Sequence, residues 1–578
     1  VRARAATGLV LALSFVLAPG SGRSATAAVP DAAAPAAGRL ALTALTAGRL
    51  ARLLPRAAFA PGPQASPART RIEGRLTLDP RPRPDAAAAL AGSRFEPNDR
   101  ALTWPNLTLD LVQDGDRLIP AARGPMAPGN SAWDWLAAPG RVWREPGDGD
   151  LTRAALPLAL EERNANCVHN GALLILFKAD GSVLRAAVQI DGETCAYFRF
   201  DAWSLTPATF AAGPVEGAAA LIARDRAERA GRAPERTLAE LAADHPGLDL
   251  AALARAAGPG AIWGLDDGAT HYAAPCPTRA GDDALCAERA LPSYSTAKTL
   301  VGMQALFRLE ALRPGVLNER VADHVPACAA AGGWGDVRLI DLLDMASGHY
   351  VSDGPETDEN APATLAFFTS TTAAGKLAFA CGQPRAAKPG KVWVYHTADS
   401  FLLGVAIGDV LRRAGLGRDA YDDLVLPIWR AIGQSADLDT TRRTDDAAAE
   451  PFTGWGLTYT RDDAVRAARF LTGGGLADGR PLLAAGPLAE ALQRRSPGGG
   501  FEALGLATLR YRHGLWARNI ARLIGCGHPV WTPFLSGYGG ISIVLFPNGV
   551  TFYAFGDQNH FDWGEAAPQA DRIRPMCV

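Results

Sequence analysis

SYSTAKTL, residues 293–300, decides how the chain is read. Lys298 follows Ser295 by three positions, one helical turn, which puts both side chains on one face within hydrogen-bond reach. The run TAKTLVGMQALFRLEAL (296–312) then distributes Leu300, Val301, Met303, Leu306 and Phe307 around most of a helix, and Pro314-Gly315 stops it. The pattern predicts a buried helix starting beside Ser295. Free backbone N–H groups and the helix dipole would there favour negative charge developing on the serine.

Lysine usage makes the pair stand out. Of 58 basic residues only five are lysine: Lys178, Lys298, Lys376, Lys388 and Lys391. Arg carries nearly all the ordinary charge, and a guanidinium cannot lose its proton near neutral pH, whereas a buried amine can. None of the other four lysines has Ser three places before it. On spacing alone a first-turn Ser with a solvated Lys fits equally well, so the flanking sequence has to decide.

Downstream, several segments recur in order: LNERVADHVP (317–326), VRLIDLLDMASGH (337–349), Pro389-Gly390 followed by VYHTADSFLLG (394–404), GLTYTRDD (456–463) with Gly473–Gly475, and SGYGGISIVLFPNGV (536–550). Together with SYSTAKTL they resemble the class C β-lactamase-like serine hydrolases. That family takes in class C β-lactamases, D-alanyl-D-alanine peptidases, family VIII esterases and 6-aminohexanoate-dimer hydrolases. The resemblance covers residues 260–578. It implies an α+β, β-lactamase/transpeptidase-like fold, an antiparallel sheet flanked by helices with an all-helical part inserted after Ser295. The last strands, 538–546 and 550–556, would pair with those at 260–272.

The resemblance also implies roles. Ser295 is the nucleophile, Lys298 the amine that takes or relays its proton, and Tyr395 the third member, a phenol needing nearby cations to lower its pKa. The backbone N–H groups of Ser295 and Tyr538 form the oxyanion site. His396, Thr397, Gly537, Gly539 and Gly540 line the substrate. Two departures from the family pattern matter. Tyr395-His396-Thr397 stands where Tyr-x-Asn is frequent, and Gly537-Tyr538-Gly539-Gly540 stands in place of Lys-Thr-Gly. A hydroxyl replaces an amide that both donates and accepts, and no cation awaits a substrate carboxylate. This favours the esterase and amide-dimer hydrolase branch. Penicillin-binding, β-lactamase or D-Ala-D-Ala peptidase activity is the second reading, and a catalytically inactive ligand-binding protein on the same fold the third.

The rest of the chain frames this domain. Arg2 and Arg4, the apolar run Gly8–Ala18 and Ala25-Thr26-Ala27 have the layout of a signal peptide over 1–27, predicting a periplasmic or secreted protein. Residues 28–68, rich in Ala, Pro and Arg, read as a linker. From 69 to 212, period-two stretches at 71–78, 107–112, 173–177, 183–190 and 196–200 predict a small β-rich domain, with Asp-Gly turns at 180–181 and 191–192. Trp133, Trp135 and Trp143 read as its core, with sugar binding the lesser alternative. Helical spacing returns at 218–229 and 237–256, and the hydrolase domain is taken as 213–578. Eight cysteines, none in C-x-x-C, suit disulfides. Pairing sequence neighbours gives four bridges, out of 105 possible connectivities.

Other chemistries find little support. There is no G-x-S-x-G elbow and no H-E-x-x-H, and the nine histidines are scattered, so neither an α/β-hydrolase, a metal centre nor a cofactor is expected. A net charge of -2 gives no reason to expect nucleic acid, and no later stretch is long and apolar enough to cross a membrane. The partner expected is a small-molecule or peptide-like acyl substrate.

Overall fold

The computed structural model describes residues 37–48, 50–79, 86–89, 103–126, 129–130, 132–163 and 165–577. The signal-peptide expectation lies outside them. Two large sheets dominate. The first, of eleven strands, is built from residues 73–212. Its centre is three long antiparallel strands, Thr152–Glu162, Val168–Phe177 and Val183–Thr194. They are apolar on both faces, and both faces are covered. Leu156, Leu173 and Val188 belong to the main core, whereas Leu174, Leu176 and Ala187 pack under Leu45, Leu50, Leu54 and Phe59.

That second layer changes two expectations. Residues 37–68, read as a linker, contain a helix at Ala37–Thr46 and a 3-10 turn at Arg56–Phe59, which close one face of the sheet. The Ala/Pro/Arg composition concealed four large apolar side chains spaced along this arm. Asp191-Gly192, read as a turn, lies inside a strand running to Thr194. Asp191 is instead the buried partner of Arg56, whose Nε donates to it at 2.8 Å. Asp180-Gly181 does turn the chain between strands. Trp133, Trp135 and Trp143 are core residues, each almost wholly buried.

The second sheet has nine strands, running from the edge strand Glu235–Thr237 to the opposite edge Phe501–Ala503. Ile262–Asp266 pairs with Thr551–Phe555, and that strand with Ile541–Leu545, so the last strands join those preceding Ser295 as expected. A mostly helical part, residues 298–472, is inserted between strand pairs. The chain thus has the β-lactamase/transpeptidase-like fold, with a sheet-rich N-terminal part. The expected helix at 237–256 is two, Leu238–Asp244 and Leu250–Ala257, separated at Pro246-Gly247.

Disulfides join each cysteine to its neighbour in sequence: Cys167–Cys195, Cys276–Cys286, Cys328–Cys381 and Cys526–Cys577. Among the described residues no helix is long and apolar enough to cross a membrane. The two sheets are tied by buried ion pairs. Arg117 meets Asp225 at 2.8 Å and Glu288 at 3.0 Å, Arg123 meets Glu228 and Asp437, each at 2.9 Å, and Arg442 meets Glu161 at 3.0 Å and also Asp134.

Candidate active site

Ser295 sits in a single 3-10 turn, Tyr294–Thr296. The helix after it opens as a π-helical turn, Lys298–Met303, before becoming α-helical at Gln304–Leu312. Every residue from Lys298 to Phe307 is buried, because the apolar residues face the sheet, the inserted helices and the loop after residue 452 together. Ser295 alone in its turn keeps partial exposure. The wider π turn changes the geometry assumed from simple helical spacing, yet the pair still meets: Lys298 Nζ donates to Ser295 Oγ at 2.9 Å.

The amine's other two protons are also placed. It donates to Thr397 Oγ1 at 2.9 Å and to the Gly454 carbonyl at 3.3 Å. Burial pushes its pKa down to about 8, against an opposing pull from the Glu359 carboxylate. An amine with that pKa is neutral in about a tenth of molecules at pH 7 and in most of them above pH 8.

Tyr395 reaches the pair through a chain of backbone contacts. Gly390 N donates to Ala346 O and Val394 N to Met345 O, so the segment before the tyrosine lies along the end of the Ala346-Ser347-Gly348 segment. Gly348, at φ +78, lets the backbone approach Ala387 so closely that a Cβ would fall 2.3 Å from its carbonyl. Trp393 and Trp516 fix the ring, with centroids 6.2 and 5.8 Å away. Lys298 Nζ lies 4.9 Å from the Tyr395 ring centroid. Burial, helped by Tyr511 and Glu359, drives the phenol well above its usual value. This differs from the expectation that cations would lower it: Tyr395 is a neutral hydroxyl.

Thr397 opens the helix Thr397–Ala414. Glu359 caps that helix, accepting from Thr397 N at 2.9 Å and from its hydroxyl. The amine is therefore linked through one hydroxyl to a buried carboxylate. His396 turns to Asp358, with Nε2 at 3.0 Å from Oδ2. Burial alone would lower its pKa, but the Asp358 hydrogen bond and neighbouring carboxylates outweigh this and hold it above the usual value. Glu356, in the same loop, is pushed up to about 8 by burial and by Glu359. None of Glu356, Asp358 and Glu359 was picked out from the sequence.

The glycines at 537–540 work through the backbone. At Gly537 a side chain would meet Ser293 O at 2.9 Å and Tyr294 Cβ at 3.4 Å, so the strand Trp531–Gly537 presses directly on the turn that carries Ser295. Gly539 and Gly540, at φ +86 and +104, make the following turn, and their missing side chains leave room for Gly556 O and the His560 backbone. That packing accounts for a glycine at each position. Tyr538 is buried, its ring 5.6 Å from that of Tyr294.

Two Cys–His groupings, Cys167–His169–Cys195 and Cys526–His528–Cys577, bring potential ligand atoms together. In each the cysteines are joined in a disulfide, leaving no thiolate for a metal.

A family model described as Beta-lactamase matches residues 251–548. No curated protein matches the chain. Among solved structures it is similar to a hydrolase with promiscuous acyltransferase activity (15% identity, 60% of this chain and 100% of that one, TM-score 0.41). It is also similar to a D-stereospecific amidohydrolase from Streptomyces sp. (16% identity, 56% and 98%, TM-score 0.40). A penicillin-binding protein homologue from Caulobacter crescentus matches at 19% identity over 61% and 95% of the two chains, TM-score 0.36.

Proposed function

Because this chain belongs to the Beta-lactamase family, we propose that it is a serine hydrolase that cleaves an ester or amide through an acyl-enzyme on Ser295. The observation that carries this reading is the buried Lys298 amine 2.9 Å from the Ser295 hydroxyl, with its pKa pushed down to about 8. In the first step Ser295 Oγ bonds to the substrate carbonyl carbon and its proton passes to the neutral Lys298. The oxyanion is held by the Ser295 and Tyr538 N–H groups. The proton then moves through the Tyr395 hydroxyl to the leaving alcohol or amine as the C–O or C–N bond breaks. Water, deprotonated by the same amine, releases the acid and restores Ser295.

Ester or amide is preferred over β-lactam or D-Ala-D-Ala substrates for two reasons. The turn at 537–540 offers no cation to a substrate carboxylate. Thr397, engaged by both Lys298 and Glu359, has no spare amide for an acylamino side chain. A fluorophosphonate and a fluorescent penicillin, each followed by peptide mass spectrometry, test the reading. Labelling of Ser295 by the phosphonate alone is expected. Labelling by both would favour the penicillin-recognising branch, and labelling by neither would reduce the chain to a binding protein. The chemistry uses no metal or cofactor. Export to the periplasm or the exterior suits the four disulfides.

A further inference from the structure

Asn166 belongs to the N-terminal sheet, in the turn between the strands Thr152–Glu162 and Val168–Phe177, yet it is bonded to the nucleophile segment of the other half. It is fully buried, at φ 62, a left-handed conformation that asparagine tolerates better than most residues. Its Oδ1 accepts from Tyr294 N at 2.8 Å, Ser293 Oγ at 3.1 Å and Gly456 N at 3.2 Å. Its Nδ2 donates to Glu161 Oε1 at 2.8 Å and to Leu457 O at 3.1 Å. An oxygen facing three donors and a nitrogen facing two acceptors fit an amide in one orientation only.

The bonded groups flank the chemistry on both sides. Tyr294 immediately precedes Ser295 and sits at φ 40, a left-handed conformation that a residue with a side chain keeps only where its surroundings hold it. Asn166 takes the N–H of that residue. Gly456 and Leu457 continue from Gly454, whose carbonyl accepts from Lys298 Nζ. The asparagine is itself fixed by the adjoining Cys167–Cys195 bridge and by Glu161, which is paired with Arg442.

We propose that Asn166 is a positioning residue for the reaction, by which the N-terminal sheet sets the distance between Ser295 and Lys298. The N-terminal sheet is thus part of the hydrolase rather than a separate binding module. This rests on the reading of Ser295 as nucleophile.

The test uses the full chain and a fluorophosphonate. Ser295 Oγ bonds to phosphorus, fluoride leaves, and the serine proton goes to Lys298, so the reaction reads the Ser–Lys geometry without an identified substrate. Asn166→Ala is expected to lower the inactivation rate constant by about 10–100-fold, the scale of a nucleophile displaced by up to 1 Å, with the reversible affinity for the probe within a few-fold of wild type. Asn166→Asp, which keeps an oxygen facing the Tyr294 N–H but sets the other against Glu161 Oε1 and Leu457 O, is expected to give no rescue. Ser293→Ala, which removes one of the three donors, gives a smaller loss in the same constant and serves where Asn166→Ala does not fold. Wild-type rates in folded Asn166→Ala or Ser293→Ala, or a loss confined to probe affinity, would overturn the inference. Failure of the wild type to label at Ser295 would instead remove the functional reading, and the inference with it.

Discussion

The two sheets hold the same site by different means. The nine-stranded sheet and its helical insertion carry Ser295, Lys298 and Tyr395, placed by short-range features: a 3-10 turn, a π turn and a capped helix. The eleven-stranded sheet carries none of the three, and reaches them through buried polar contacts at large sequence separation, Asn166 to Tyr294 and Asp134 and Glu161 to Arg442. Reacting groups are placed by local backbone geometry, whereas the contacts between the halves are buried polar bonds whose loss exposes no new solvent and leaves a partner unpaired. If labour is divided in this way, substitutions of the reacting groups in the nine-stranded half should remove chemistry without loss of fold, and substitutions at the contacts should disturb both.

The largest effects should come from the reacting pair. Ser295→Ala should abolish fluorophosphonate labelling and ester turnover while leaving the thermal transition in place. Lys298→Arg should be nearly as damaging, since a guanidinium cannot take the serine proton. Full turnover by the arginine variant would mean that the amine acts only as a charge. Tyr395→Phe should come next, with kcat reduced by roughly 10²–10⁴-fold, the range for a positioned proton-transfer group. Circular dichroism should be unchanged, because the Trp393 and Trp516 contacts to the ring remain.

Arg442→Met probes the other side of the comparison. The Arg442 side chain is 7% exposed and those of Asp134 and Glu161 are 0% exposed. Removing the cation leaves Asp134 to Arg163, 4.0 Å away, and Glu161 to Asn166, a loss of ~3–5 kcal/mol for a broken buried ion pair. Urea unfolding should show one cooperative transition displaced to lower denaturant. Two separate transitions, with the hydrolase half unmoved, would mean that the N-terminal sheet stands apart and does not brace the site.

The same contrast governs what could be read from the chain. The fold of 260–578 was legible because its markers are local: Ser295 and Lys298 one turn apart, Pro389-Gly390 before Tyr395, glycines at 537–540. The scarcity of lysine pointed to a buried amine, but it marks two. Lys376 is also buried, its Nζ 4.7–5.0 Å from the rings of Phe367, Phe452 and Trp455, and its pKa is pushed down to about 7 by burial. The serine three places earlier and the flanking SYSTAKTL sequence separated the catalytic candidate from the caged one. Glu359 and Asn166 were not legible, because neither Glu359 to Thr397 nor Asn166 to Tyr294 is a pairing that any local period imposes. Over the described residues 37–48 and 50–68 the linker reading gives way for a related reason: Arg56 looks like a surface charge until Asp191, 135 residues on, is seen beside it.

The smallest expected effect, and the one that most sharpens the description of the site, is that of Glu359→Gln. Lys298 is neutralised by burial and held back by the Glu359 carboxylate, which acts across the Thr397 hydroxyl. The neutral amine is the reactive form, so activity should rise with pH through about 8 in the wild type. Glutamine keeps an oxygen for the Thr397 N–H but removes the negative charge, and the amine should lose its proton more easily. The acid limb of kcat/KM should therefore move to lower pH, by on the order of one unit or less for a single charge acting through an intervening group. Activity at pH 6–7 should rise relative to the plateau. Glu356, pushed up to about 8 partly by Glu359, titrates in the same range, so Glu356→Gln is the control: it should leave the limb in place if Lys298 is the group observed. A merely structural role for Glu359 would lower the plateau without moving the limb, and a limb displaced to higher pH would exclude the amine as the base.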